Sequence, residues 1–531
     1  MHTYAIIYAL IIAISSIFIP MQWSYTANAK IERQAESVHS HHQSIVLDSM
    51  HFAHLATLQE EESPHTPAVI PLRPGPHKLL VNESSSQQDI LEMEPETTAP
   101  RTLSPSPSIS FQALTDSMTI IPPDTNGAVG PNHVMTMLND RVMIQSKKGV
   151  VISVISLDSF WNTTGAFDPQ LTYDPYSKRW IASTGVDFEQ PSSGIIVAVS
   201  QTSDPTGVWY RLRIKGDPAS TLSVDFPRLG FNSKWIVVQA NMYDSSGNFN
   251  SSRLFIFNKS QAYSGHLSTA NVLTLSGMGI TQAPARTYDP TLQTLYLLQE
   301  WNGDSNGIGY LRLYALEGPI GSETLTTVGY PSINQVWAEY GATVNKGFAP
   351  QLNSSIRIDN GDSRMLSVMY RNGSVWGAHT AFLPSNAPTH TGVQWWQVHV
   401  TNATTQQFGR IEDTSATFNS GNFYAYPSIA VNKNNDVLVG YSQFNALMYA
   451  SAAYSFRYGT DPLNTMQSSL IFAPGLDVYD KDYGSGNVRW GDYSSTVVDP
   501  SNGISLWTLQ EYADTRLNGQ SRWATWWSKV E

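Results

Sequence analysis

One short pattern recurs along this chain and limits what it can fold into. An apolar strand leads into a turn built on Asp or Asn, and a second strand rich in β-branched and aromatic residues follows. Clear copies are Pro169–Ser183, Pro227–Gln239, Pro284–Gln299, Pro427–Tyr441 and Tyr493–Trp507. Weaker ones are Asn126–Leu138 and Asn353–Tyr370, the latter turning at Asp359–Asp362. The turn anchors are Gly130, Asp174, Asn232, Asp289, Asp359, Asn432 and Asp499. From Asp174 onward they fall about 65 residues apart, against the ~40–50 of a lean propeller blade, so the blades carry loop insertions. A unit with two apolar faces cannot hide both alone, whereas several small sheets packed radially can. The pattern therefore predicts an all-β fold, a β-propeller with seven blades preferred over six or eight. Solenoid repeats are shorter and more regular.

The ring is expected to close on itself. After Asp492–Val498 the sequence offers only two more strands, Ile504–Leu509 and Arg522–Trp527. A strand near Ser108–Gln112 would supply the fourth and protect the sheet edges.

Composition narrows the function classes. Charged residues make up 14% of the chain, which excludes coiled coils and charged disordered proteins. A net charge of −12 with no basic patch argues against nucleic-acid binding, which needs clustered Lys and Arg. There is no cysteine, so disulfides, thiol catalysis and Cys-ligated metals are out.

The domain boundaries follow from the N-terminal fifth of the chain. An apolar stretch from Ala5 to Met21 precedes Ala27-Asn28-Ala29, the form of a cleavable secretory signal, giving 1–29 as signal peptide; no Lys or Arg precedes the stretch, and the alternative is an uncleaved signal anchor. Residues 30–105 read as a disordered or pro-segment linker, rich in Pro, Ser, Glu and Gln from Glu61 onward. His39, His41, His42, His51 and His54 within it are either a metal-binding tract or simply solvated. Residues 106–531 form the propeller. The protein is thus expected to be secreted, periplasmic or at the cell surface, a monomer, and free of the membrane once the signal is cut.

Two stretches carry a family resemblance. Val488-Arg-Trp-Gly-Asp-Tyr-Ser-Ser-Thr-Val-Val-Asp-Pro500 and Pro122-Pro-Asp-Thr-Asn-Gly-Ala-Val-Gly-Pro-Asn-His133 resemble motifs of large secreted bacterial β-propeller proteins, mostly uncharacterised. The resemblance spans roughly Ile120 to Glu531 and implies fold and export more than activity. Arg371-Asn-Gly-Ser-Val-Trp376 and Asp499–Trp507 are more loosely similar to the Asp-box turn of sialidase-type propellers, without its full spacing. No arginine triad of the sialidase kind is evident.

Candidate site residues come from register. Asp124 and Asp168 lie six residues before their turn anchors, and Asp225 and Asp492 seven before theirs. If first strands line the axis, these four carboxylates ring one mouth of the channel, either as a cation site, with calcium the candidate, or as turn caps. Glu300-Trp301 and Glu511-Tyr512 end second strands that return to that face, and an acid beside an aromatic suits sugar binding. Arg228, Arg286 and Arg489 sit in or beside first strands, as ligand contacts or as partners for these acids. Three functions remain open, one of them a surface or matrix structural protein. Another is a propeller recognising extracellular glycan or protein through one face, without catalysis. The third is a glycoside hydrolase or polysaccharide lyase using the channel-mouth carboxylates.

Overall fold

The recurrent turns fold as side-chain-capped hairpins in the computed structural model, which describes residues 36–58, 68–75, 102–340 and 347–531. Asp174 Oδ1 accepts from the backbone N–H groups of Tyr176 and Ser177 at 3.0 and 3.1 Å. Asn232 Oδ1 accepts from Lys234 and Trp235, and Asn432 Oδ1 from Asn434 and Asp436. Asp499 caps Ser501 and also takes the indole N–H of Trp507 at 2.9 Å. A short side-chain acceptor satisfies the donors that a tight turn leaves over, which is why Asp and Asn recur there. Asp359 departs from the expected pattern. The hairpin of its unit turns instead at Asn372-Gly373, where two successive positive φ values of 50° and 82° suit Asn-Gly.

Around these hairpins the chain is a β-propeller of antiparallel meanders. One runs Asn126–Val129, His133–Met137, Arg141–Ser146 and Val151–Ser156, and the next begins with Ala166–Asp174 and ends with Val208–Lys215. A ten-stranded sheet holds two further meanders, from Leu222–Phe231 and from Ser367–Arg371, bridged by the short strand Arg286–Thr287. Innermost strands are buried along their whole length, as in Ala166–Asp174 and Phe423–Val431. The apolar core is split into layers between neighbouring sheets. One layer joins Trp180 and Leu171 to Met135 and Ile144, and another joins Ile181 and Val197 to Val238 and Phe255. Trp395 and Trp527 fill such layers.

The ring closes as predicted. Ile109–Thr115 pairs antiparallel with Gln520–Val530, in the same sheet as Ser495–Val498 and Leu506–Leu517. Trp507 and Trp527 of that sheet pack on Val129 and Val134 of the first meander, and Trp527 Nε1 donates to Thr136 Oγ1 at 2.9 Å.

Two stretches of the segment read as a disordered or pro-segment linker form strands. Ser37–Ser44 adds to the outer edge strand Thr269–Ser276, and Val46–His51 to the edge strand Val208–Lys215. Phe52 and Met50 enter the layer formed by Phe160 and Trp209. Composition counts only the apolar surface a segment can bury by itself; here exposed sheet edges supply a ladder of backbone hydrogen bonds as well. His39, His41 and His42 lie on the first of these strands. Residues 1–29, expected to be a signal peptide, lie outside the described residues. Among the described residues no helix is long and apolar enough to cross a membrane.

Candidate functional site

A repeated backbone irregularity builds the axial mouth. Asp124, Asp168, Phe226 and Tyr426 each sit six residues before a turn anchor, and all four have left-handed φ values between 51° and 57°. In three of these units the strand pairing slips at that point, between Phe167 and Gln170, Asp225 and Arg228, and Ala425 and Ser428. Proline follows each time, at Pro169, Pro227 and Pro427. Proline has no N–H, so a bulge there forfeits no ladder bond. Such a conformation costs about 1–3 kcal/mol for a residue like Phe or Tyr.

The four predicted aspartates come together there, and all are buried. Asn139 Nδ2 donates to Asp124 Oδ2 at 2.7 Å, while Asn139 Oδ1 accepts from the Asp168 N–H at 2.8 Å. The Tyr493 hydroxyl donates to Asp168 Oδ2 at 2.9 Å. Arg489 donates to Asp492 Oδ2 at 2.6 Å and to Asp359 Oδ2 at 3.4 Å. Arg364 grips Asp362 with its Nε and Nη2, at 2.6 Å for the shortest contact, and its guanidinium lies 4.2 Å over the Phe226 ring.

Burial dominates the acidities. It pushes Asp225 up to about 7, helped by the charge of Asp168 and opposed by Arg364 and Arg73. It raises Asp492 to about 6 against the opposing pull of Arg489. Burial and then Asp168 raise Asp124 well above its ordinary value, and burial raises Asp168 against the pull of Asp124 and Tyr493. Arg489 moves the other way from what burial favours, because Asp492 and Asp359 hold its charge.

Asp124, Asp168, Asp225 and Asp492 are the residues expected to hold a cation. Among the described residues no group of three or more His, Asp or Glu converges as a ligand set. Asp124, Asp168 and Asp492 are instead turned to Asn139, Tyr493 and Arg489. The aromatics expected to face sugar are also withdrawn. Trp301 is buried with the Arg312 guanidinium 4.5 Å over its ring, and Tyr512 is buried edge-on to Trp526 with its hydroxyl accepting from Gln112.

The remaining predicted residues fall in neighbouring places. Glu300 lines a cavity of about 30 Å³ with Trp301, Glu339, Asp362 and Arg364. Burial and then Glu339 raise Glu300 well above the carboxylate range, and Trp337 Nε1 donates to it at 3.3 Å. Glu511 is buried too, raised by burial and then by Asp116. Arg228 and Arg286 line a polar void of about 20 Å³ in the channel with Asn126, Gln170 and Ser494. They are not the partners of the strand-end acids. Arg228 donates to Leu366 O and Arg286 to Ser367 Oγ, and among the described residues neither forms an ion pair.

Sequence reasoning missed Asp359, Asp362, Arg364 and Tyr493. It also missed the segment 68–75, which crosses the mouth. Ala68–Val69 pairs with Ile120–Ile121, Leu72 packs among Phe226, Leu366 and Tyr493, and Arg73 pairs with Glu189. The signal available was the Asp-Pro, Phe-Pro and Tyr-Pro repetition at one register.

No protein-family model matches the chain, and no curated protein matches it by sequence. Solved structures similar to it include a thermostable family-43 glycoside hydrolase, at 11% identity and a TM-score of 0.29, covering 69% of this chain and 90% of that one. A protein of unknown function from Dyadobacter fermentans matches at 10% identity and a TM-score of 0.28, covering 69% and 95%. A Trypanosoma rangeli sialidase matches at 9% identity and a TM-score of 0.32, covering 79% and 58%. Likeness at this level carries no assignment of activity.

Proposed function

We propose that this protein is an exported binding propeller that recognises an extended extracellular ligand, glycan or protein, at its axial mouth. The observation that carries the reading is how the mouth's carboxylates are engaged. Arg489 holds Asp492 and Asp359, Arg364 holds Asp362, and Tyr493 holds Asp168. Acids used to fix guanidinium donors suit recognition of ligand oxygens, whereas hydrolysis needs a carboxyl pair facing an open cleft. Export by cleavage near Ala27-Asn28-Ala29 belongs to the same reading. So does a count of seven blades, taking the ten-stranded sheet as two.

The test is a glycan array probed with the full chain, run beside a polysaccharide hydrolysis screen. Saturable binding without release of new reducing ends is the expected result. Turnover that disappears in Glu300→Gln would overturn it in favour of a hydrolase. The observation favouring that second reading is that Glu300 and Glu339 line one cavity.

A further inference from the structure

The chain already places an extended peptide across its own axial mouth. Residues 70–75 read Ile-Pro-Leu-Arg-Pro-Gly. Pro71 and Pro74 fix their own φ, and each disfavours helix in the residue before it, so the segment is extended before it touches anything. It crosses from one side of the ring to the other. Ile70 N–H donates to Ile121 O at 2.8 Å near the first meander, and Gly75 lies against Ile280 on the far side.

The contacts divide as they do in peptide recognition. Backbone carbonyls meet fixed donors. Ile70 O accepts from Arg489 Nε at 3.1 Å, and Arg73 O from Arg364 Nη2 at 2.8 Å. The Tyr243 hydroxyl lies 3.2 Å from both Arg73 O and Pro74 O. Side chains meet pockets. Leu72 is 3% exposed, enclosed by Phe226, Leu366 and Tyr493 from three different units around the axis. The Arg73 guanidinium lies 4.6 Å over Phe188 and 5.2 Å over Tyr243, and ion-pairs with Glu189. The axial acids then have a purpose short of catalysis. Asp492, Asp359 and Asp362 hold Arg489 and Arg364 in the orientation that reads the carbonyls.

We propose that the axial mouth is a binding site for an extended, proline-containing peptide with leucine and arginine between the prolines, and that Ile70–Pro74 is its resident occupant. This rests on the binding reading above and names the ligand class. A covalently attached occupant competes at an effective concentration in the millimolar range, so a free peptide gains the site only when the resident segment is loosened. Preformed extension keeps the ordering cost of such a ligand low.

The test uses the full chain. A fluorescein-labelled peptide Val-Ile-Pro-Leu-Arg-Pro-Gly is titrated by fluorescence polarisation against wild type and against L72S/R73S, which weakens the resident segment. At least tenfold tighter binding to the folded double variant is expected, with a scrambled peptide inert. Adding Tyr243→Phe, which removes only the hydroxyl on the two carbonyls, should weaken binding roughly three- to tenfold. A folded double variant with no saturable binding overturns the proposal, as does indifference to Tyr243→Phe. If that variant does not fold, protease sites inserted after residues 64 and 85 of the otherwise native chain replace it. After cutting, the freed piece should stay bound and be displaced by excess peptide; spontaneous loss without rebinding overturns the proposal. The two readings separate on a glycan array probed with the opened protein. Glycan hits without peptide binding leave the binding reading intact and remove this one, and silence in both removes both.

Discussion

Replacing Asp225 by Asn should stabilise the protein, and by an amount that grows with pH. Asp225 is buried on the axis, and burial together with Asp168 raises its folded pKa from an ordinary 3.8 to about 7. A carboxyl raised in the folded state keeps its proton there while the unfolded chain has already released it. Its contribution is therefore fully present below about pH 4 and is lost as pH rises through about 7. A tenfold change in acidity is worth about 1.4 kcal/mol, so the ionised native carboxylate is disfavoured by on the order of 4 kcal/mol at pH 8, before any relaxation around the charge. Asparagine has nearly the same shape and no charge to lose. D225N should match wild type at pH 4 and gain roughly 2–4 kcal/mol by pH 8, where the penalty is complete. Urea unfolding followed by tryptophan fluorescence at pH 4, 6 and 8 measures this directly. An equal effect at all three values, or a loss at pH 8, would refute the electrostatic account and show that the Asp225 charge is needed.

Further outcomes follow from other parts of the ring. Leu114 on the closing strand is 1% exposed, so Leu114→Ala should cost about 2–5 kcal/mol in the same urea assay, and a loss below about 1 kcal/mol would mean the closing strand is dispensable. Asp499 is held below its ordinary pKa; burial pulls it up, but Lys147, the Ser501 N–H and Trp507 outweigh that. Stability from a lowered carboxyl is present above the unfolded pKa and fades as pH falls, so Asp499→Asn should destabilise by roughly 1–3 kcal/mol at pH 7 and far less at pH 3. Deleting residues 1–58 uncovers the edge strands Val208–Lys215 and Thr269–Ser276. Light scattering should then show concentration-dependent association and calorimetry a lower Tm, while a monomer with unchanged Tm would contradict the role given to these strands.

Local rules were legible from residues alone. Period, turn chemistry and the count of strands after Asp492 led to a propeller closed by an N-terminal strand, because each rests on contacts within a few residues or on a topological remainder. The register that places Asp124, Asp168, Asp225 and Asp492 at one mouth was also legible, since strand length fixes where a residue ends up along an axis. What those carboxylates do was not. Their partners are Asn139, Tyr493 and Arg489, which lie between three and 325 residues away in sequence, and the Tyr493–Asp168 contact exists only once the ring has closed. Nor could composition foresee that residues 37–51 pair with sheet edges or that Leu72 fills the axis, because the surfaces receiving them are made by strands far along the chain. Spacing along a strand is a property of the sequence; the neighbours across an axis exist only once every sheet has taken its place around it.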